Sequence, residues 1–261
     1  MILLHDYNNT QFRGCREAVR QYEEENQALL LVPLSDLHGT AVIIKSSREA
    51  GYMKKTGAVL VAAGLSSRMK DFKPMLPFGT STASRHMIGM LKSLKADPIV
   101  VVTGYRAEEL EAHLSDTGVC FVRNNRYRET EMFDSIKIGV KEIEAECERI
   151  MIFPIDVPAI RLSTIWKAMM ADAPIVRTTC QGKPGHPIIV QTDLFPLLWA
   201  SGGKGGLRGA VERSGIPVME LEVEDEGIYK DMDTREQYVQ LLWQEYCNCK
   251  SGYQAGACHA F

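Results

Sequence analysis

A chain of 261 residues, 45% hydrophobic and 24% charged, can bury a sizeable core and matches one large α/β domain with an appendage. A formal charge of −3 with interspersed signs excludes the basic stripe that neutralises a nucleic-acid backbone, so no nucleic-acid partner is expected. Seven cysteines, an odd number spread from Cys15 to Cys258, read as reduced thiols, and no apolar run suits a signal peptide or a bilayer span, so a cytoplasmic protein with no membrane association is expected.

Residues 1–52 form a zone apart. They hold a charged, helix-like stretch at 16–26 and two apolar runs, ALLLVPL at 28–34 and TAVIIK at 40–45. No chemistry is legible there, and the zone reads as an N-terminal extension, either a structural appendage or a partner surface. From Gly57 onward, short β-branched runs alternate with amphipathic segments, the pattern of a mostly parallel sheet with helices on both faces. GAVLVAA (57–63) and PIVVVTG (98–104) read as buried strands, and Met87, Met90, Leu91 and Leu94 recur between them at helical spacing. AEELEAHL (107–114) predicts a helix and VCFVRN (119–124) a strand. Ile136, Val140 and Ile143 mark a further helix before the strand RIMIFPID (149–156). After Ala173 the reading is IVRTT and PIIVQ as strands, LFPLLWA and GLRGAVERSG as short helices, MELEVE as a strand and TREQYVQLLWQEY (234–246) as a closing helix. The domain reading is therefore 1–52 as extension, 53–246 as the α/β domain and 247–261 as a cysteine-containing tail.

Three places carry chemistry. VAAGLSSRMKDFKPMLPFG (61–79) puts small residues at the end of the first strand, then serines, an arginine and a lysine before a proline-bounded turn. It reads as a polyphosphate cradle: Ala62, Ala63, Gly64 and Ser66 leave room for backbone N–H groups, and Arg68 and Lys73 supply fixed cations. An ordinary connection explains one Gly or one Arg, but not this ordered set. Asp156 follows the fourth strand, at the carboxyl edge where open α/β sheets bind ligands. A carboxylate there suits Mg²⁺ held jointly with phosphates; the alternative is a helix N-cap. In the tail, Cys247, Cys249, Cys258 and His259 match no zinc spacing of known pattern, and read as incidental.

Residues 61–77 resemble the signature of the MobA-like nucleotidyltransferases of the GT-A type, a leucine or valine, AAG, a short spacer, RM, then K and LP. Within that family the chain is most similar to the molybdenum cofactor cytidylyltransferases, from about 53 to 238. The resemblance implies a Rossmann-like three-layer sandwich, with 53–246 as the nucleotidyltransferase domain. Asn125, Tyr127, Met132, Ser135 and Gly139 follow the family pattern, with Glu131 where the family has glycine. The Gly185, His186 and Pro187 element is implied to lie toward the acceptor; on the residues alone, His186 also fits a turn into a strand. YKDMDTREQY resembles the family's closing Asp motif, implying Asp233 as a second metal ligand with Asp231 in support, although Thr234 also suits a helix cap. Arg235 replaces the family's proline.

The activity implied is attack by a phosphomonoester, molybdopterin, on the α-phosphorus of CTP with release of pyrophosphate. Arg68, Lys73 and Asp156 are then catalytic, and Ala62, Ala63, Gly64, Ser66, Arg68, Lys73, Thr103, Gly104, Asn125 and Ser135 hold the nucleotide. Asp156 and Asp233 hold Mg²⁺. The AAG form resembles cytidylyl enzymes, whereas AGG is usual in guanylyl relatives that use GTP. The alternatives are a guanylyltransferase, a sugar-phosphate or methylerythritol-phosphate nucleotidyltransferase, or a non-catalytic escort that carries the cofactor to a molybdenum hydroxylase.

Overall fold

The computed structural model describes residues 2–4, 29–33, 41–45, 54–65, 68, 69 and 71–254, with side chains from 54 to 244. The chain divides into two compact units, Lys54–Leu242 and Met1–Met53 together with Trp243–Phe261. In the smaller unit, β1 (Ile2–Leu4), β2 (Leu29–Pro33) and β3 (Ala41–Lys45) form an antiparallel sheet in the order β1-β3-β2. The two apolar runs read from the sequence are β2 and β3; Ile43 sits opposite Ile2 on one side and Leu31 on the other. The charged stretch at 16–26 lies outside the described residues.

In the larger unit, β4 (Thr56–Val61) is followed by a short hairpin of β5 (Pro77–Phe78) and β6 (Ser81–Thr82), then by α1 (Ala83–Ser93) and β7 (Ile99–Thr103). Next come α2 (Ala107–Leu114), β8 (Cys120–Arg123), α3 (Met132–Ile143) and β9 (Arg149–Pro154). The second half contains α4 (Leu162–Met170), β10 (Ile175–Cys180), β11 (Lys183–Gln191), α5 (Phe195–Ala200), α6 (Gly206–Ser214), β12 (Val218–Glu222) and the part up to Leu242 of α7 (Arg235–Gln254). Seven strands form one sheet in the order β12-β10-β11-β9-β4-β7-β8. β11 runs antiparallel to both its neighbours; the other pairs are parallel, as the alternation of strands and helices predicts. The closing helix continues past 246 to Gln254 because no glycine or proline interrupts it before Gly252. Among the described residues, no helix is long and apolar enough to cross a membrane.

Every residue of β4 and β7 is buried, which explains their unbroken apolar sequence. On one face, Val59, Val61, Val100, Val102, Ile150 and Ile152 form a cluster with Phe133, Ile136 and Val140 of α3, Leu198 of α5 and Ala210 of α6. The alternate residues Ala58, Leu60, Val101, Met151 and Phe153 are buried too, so the opposite face is also covered. This is the α/β layered fold that the alternating pattern implies.

Helix α3 lies close on this sheet because it carries Gly139. A Cβ there would fall 2.6 Å from Val59 Cγ1 and 2.7 Å from Val102 Cγ2. Gly139→Ala should therefore destabilise the protein by about 1–3 kcal/mol through overpacking, outweighing alanine's gain in helix propensity of about 1 kcal/mol. A melting temperature equal to or above the wild type would show that the helix moves out at little cost.

The sheet also sets where a ligand can bind. The chain lays β7 and β8 outward from β4 on one side, then returns to place β9 on the other. The order reverses between β4 and β9, so the crevice beyond their carboxyl ends is the expected binding place.

Candidate active site

At the end of β4 the backbone stays against β7, with Ala62 N–H donating to the Val102 carbonyl at 2.9 Å. Gly64 then turns outward, and a Cβ on it would meet nothing within 4 Å. Beyond β9, Ile155 N–H donates to the Val61 carbonyl at 3.0 Å, which carries Asp156 alongside the loop at 62–65. Met232 N–H in turn donates to the Asp156 carbonyl at 3.1 Å. Met232 is fully buried, so it anchors the segment that presents Asp231 and Asp233 beside Asp156.

Lys73 opens a short 3-10 turn, Lys73–Met75, and is buried. Its Nζ donates to Asp156 Oδ2 at 2.7 Å and to Asp233 Oδ1 at 2.5 Å. Arg68, largely exposed, reaches the other Asp233 oxygen, with Nη2 at 2.6 Å from Oδ2. Burial by itself lowers the affinity of the Lys73 amine for a proton, but Asp156 and Asp233 more than offset this and hold its pKa above the ordinary lysine value. The Asp231 carboxyl is pushed above the usual carboxylate range by burial first, then by the neighbouring Asp233 and Asp156.

These groups face a cavity of about 720 Å³, within the range of ordinary small-molecule sites. Of the residues singled out in the sequence, Ala62, Ala63, Gly64, Arg68 and Lys73 line it, as do Ser135, Asp156, Gly185, His186 and Asp233. Ser66 lies outside the described residues. So do Cys258, His259 and the side chains of Cys247 and Cys249, and with them the zinc alternative for the tail.

Four of the expected site residues do not line the cavity. Thr103 is fully buried, and its hydroxyl donates to Glu111 Oε1 at 2.8 Å. The cavity opens on the sheet face of Val61, Ile152 and Ile188, and strand alternation turns Thr103 to the other face. Pro187 is absent from the lining, although its neighbours His186 and Ile188 are part of it. Gly104 lies behind the loop: a Cβ there would fall 2.9 Å from both the Ala63 carbonyl oxygen and Tyr127 Cβ, so it permits close packing without bordering the space. Asn125 is exposed, and its neighbour Asn124 takes the inward position. Asn124 continues the β7–β8 ladder, its N–H donating to the Thr103 carbonyl at 2.8 Å. Its side-chain amide donates to Ser135 Oγ at 3.0 Å and Thr130 Oγ1 at 2.9 Å, while its Oδ1 accepts from Arg126 N–H at 3.0 Å. Asn124 thereby fixes the loop that brings Ser135 to the cavity.

His186 sits in the cavity wall with its Nδ1 buried and without a hydrogen-bond partner. Burial lowers its pKa to about 4, and nearby Asp156 only partly opposes this, so the ring is neutral at physiological pH. Gly185 allows the backbone to press against the turn at Glu226–Tyr229, since a Cβ would come within 2.5 Å of the Ile228 carbonyl oxygen. Two cavity arginines, Arg177 and Arg208, were not singled out in the sequence; the signal available for Arg177 was one charge inside the apolar run IVRTT.

The N-cap alternative for Asp156 is excluded by geometry. Helix α4 starts at Leu162, and its first amide and hydroxyl donors go to Asp225: Arg161 N–H at 2.9 Å and Thr164 Oγ1 at 2.6 Å, both to Oδ2. Thr234 does cap α7, with Gln237 N–H donating to its Oγ1 at 3.2 Å. Among the described residues no three His, Cys, Asp or Glu side chains are arranged as a complete metal site. Asp156 and Asp233 offer hard oxygen donors to one point, which fits a divalent cation that takes its remaining ligands from phosphate and water.

A family model described as "MobA-like NTP transferase domain" matches residues 58–218, more than half of the chain. The molybdenum cofactor cytidylyltransferase of Escherichia coli (strain K12) is 27% identical over 201 residues, covering 72% of this chain and 95% of that protein. A nucleotidyl transferase from Methanothermobacter thermautotroptrophicus superposes with a TM-score of 0.65 at 23% identity, over 74% of this chain and 99% of its own. A Mycobacterium tuberculosis H37Rv protein solved in complex with manganese gives a TM-score of 0.62 at 21% identity, over 73% and 98%. At these identities the two structural likenesses speak for the fold.

Proposed function

The chain belongs to the MobA-like NTP transferase family and is a nucleotidyltransferase; from that premise we propose that it transfers CMP from CTP to molybdopterin and releases pyrophosphate. The observation that carries the reading is the convergence of Lys73, Asp156 and Asp233 beside the loop at 62–65. The AAG form of that loop and the cytidylyltransferase activity named for the Escherichia coli relative support CTP and a molybdopterin acceptor.

In this reading the backbone of Ala62, Ala63 and Gly64 accommodates the nucleotide, and Lys73 and Arg68 turn their charge to its phosphates. Asp156 and Asp233 hold Mg²⁺, which when bound neutralises phosphate charge and polarises the α-phosphorus. A phosphomonoester acceptor carries about −1.5 to −2 charge at pH 7 and needs no general base. That matches a cavity in which His186, the one histidine among the described lining residues, is neutral and buried. The acceptor phosphate attacks the α-phosphorus in line, so the protein's contribution is positioning and charge. Gly185 and His186 then border the acceptor, and the neutral imidazole brings no charge to a phosphate.

Purified protein with Mg²⁺, molybdopterin and either CTP or GTP should form the CMP adduct, identified by mass spectrometry. CTP should be favoured over GTP by on the order of tenfold or more, the discrimination expected of a site that hydrogen-bonds its base. Equal turnover with GTP would overturn the nucleotide assignment. Pyrophosphate release with a sugar phosphate or methylerythritol phosphate, but not with molybdopterin, would overturn the acceptor.

A further inference from the structure

We infer that Lys73 is a built-in counter-cation that closes the Asp156 and Asp233 pair to divalent metal until a polyphosphate draws the ammonium away, so that metal and nucleotide enter together. The geometry is that of one nitrogen in the place of a shared ion. Nζ lies 2.7 Å from Asp156 Oδ2 and 2.5 Å from Asp233 Oδ1. A divalent ion bound by those same two oxygens at about 2.0–2.2 Å competes for the approach the ammonium already fills. Arg68 occupies the remaining Asp233 oxygen. Lys73 and Arg68 are thus already paired with Asp156 and Asp233, with Asp231 beside them, and a bare divalent ion entering this cluster meets two fixed cations at the oxygens it needs.

A polyphosphate changes that balance. Lys73 and Arg68 have an alternative anion to contact, both carboxylates are released, and the phosphates complete the coordination that no three side chains among the described residues supply. The two cations differ in freedom, Arg68 being 72% exposed in its side chain and Lys73 only 11%. Lys73 is therefore the group that must be displaced, and Arg68 is free to swing.

The inference rests on the proposed metal role of Asp156 and Asp233, and its test needs neither acceptor nor turnover. Mn²⁺ binding to the nucleotide-free full-length chain is titrated by electron paramagnetic resonance. Wild type should bind weakly. Lys73→Gln should bind on the order of tenfold more tightly or better, and the double variant Lys73→Gln with Asp156→Asn should lose the gain. Lys73→Arg, which keeps the charge, should remain as weak as wild type. Equal Mn²⁺ affinity in wild type and Lys73→Gln overturns the inference, as does equal tightening in Lys73→Arg. Circular dichroism checks the fold of each variant. Should Lys73→Gln fail to fold, wild type decides alone: no nucleotide-free binding up to about 1 mM Mn²⁺ upholds the inference, and a Kd below about 10 μM overturns it. If Asp156→Asn abolishes turnover while Lys73→Gln leaves Mn²⁺ affinity unchanged, the functional reading stands and only the counter-cation role falls.

Discussion

Asp156→Asn should lower pyrophosphate release by on the order of 10²-fold or more, the usual scale for loss of preorganised charge stabilisation. The melting temperature should fall by only a few degrees. The two effects separate because the two roles of the carboxylate differ in what they require. As a hydrogen-bond acceptor for Lys73, at 2.7 Å, the amide oxygen of Asn is an adequate substitute, and Asp233 still contacts the ammonium. Loss of that one charge contact should cost about 1 kcal/mol, or roughly 2–4 °C for a unit of this size. As a ligand for a hard divalent cation, a neutral amide is much poorer than a carboxylate. Helix capping does not enter, because Asp225 takes the amide of Arg161, the N-cap residue of α4. Both quantities are measured on one preparation. A variant that turns over within a few fold of wild type but melts many degrees lower would make Asp156 a structural partner of Lys73 and nothing more.

The largest stability loss should come from a residue outside the cavity. Asp225 is buried and ties the start of α4 to the turn at Glu226–Tyr229: Oδ2 accepts from Arg161 N–H and Thr164 Oγ1, and Oδ1 accepts from Gly227 N–H at 3.0 Å. Asp225→Ala leaves these donors without their acceptor and uncaps α4, which should cost about 2–4 kcal/mol. Thermal unfolding should show a fall of roughly 6–12 °C. Asp225→Asn keeps one acceptor oxygen and should fall between alanine and wild type. An alanine variant that melts with wild type would mean that water replaces the carboxylate in full.

Much of the architecture was legible because it is local. The apolar runs at β4, β7 and β9 are buried on both sides and read as strands without any knowledge of their neighbours. The loop at 62–65 with Arg68 and Lys73 is one contiguous motif. Asp156 stands next to the end of a strand, and the carboxyl edge of such a sheet is where ligands bind, so position alone suggested the role proposed for it. Fully buried strands also hide information. When both faces are apolar, alternation does not tell which face opens on the cavity, and Thr103 was therefore assigned to the wrong side. The pair Asn124 and Asn125 shows the same limit, for identical side chains in adjacent positions differ only in where the β7–β8 ladder ends.

The sequence by itself determined the α/β class and the first strand of the sheet with its glycine loop, and it supplied the residues proposed to hold phosphate and metal. Which of them meet was decided only by tertiary structure. Lys73 is 83 residues from Asp156 and 160 from Asp233, and Asp225 is 61 from Thr164. No local periodicity spans such distances. These contacts exist because buried strands fix the sheet order, the order places the ends of β4 and β9 side by side, and buried Met232 docks the closing segment against the Asp156 backbone.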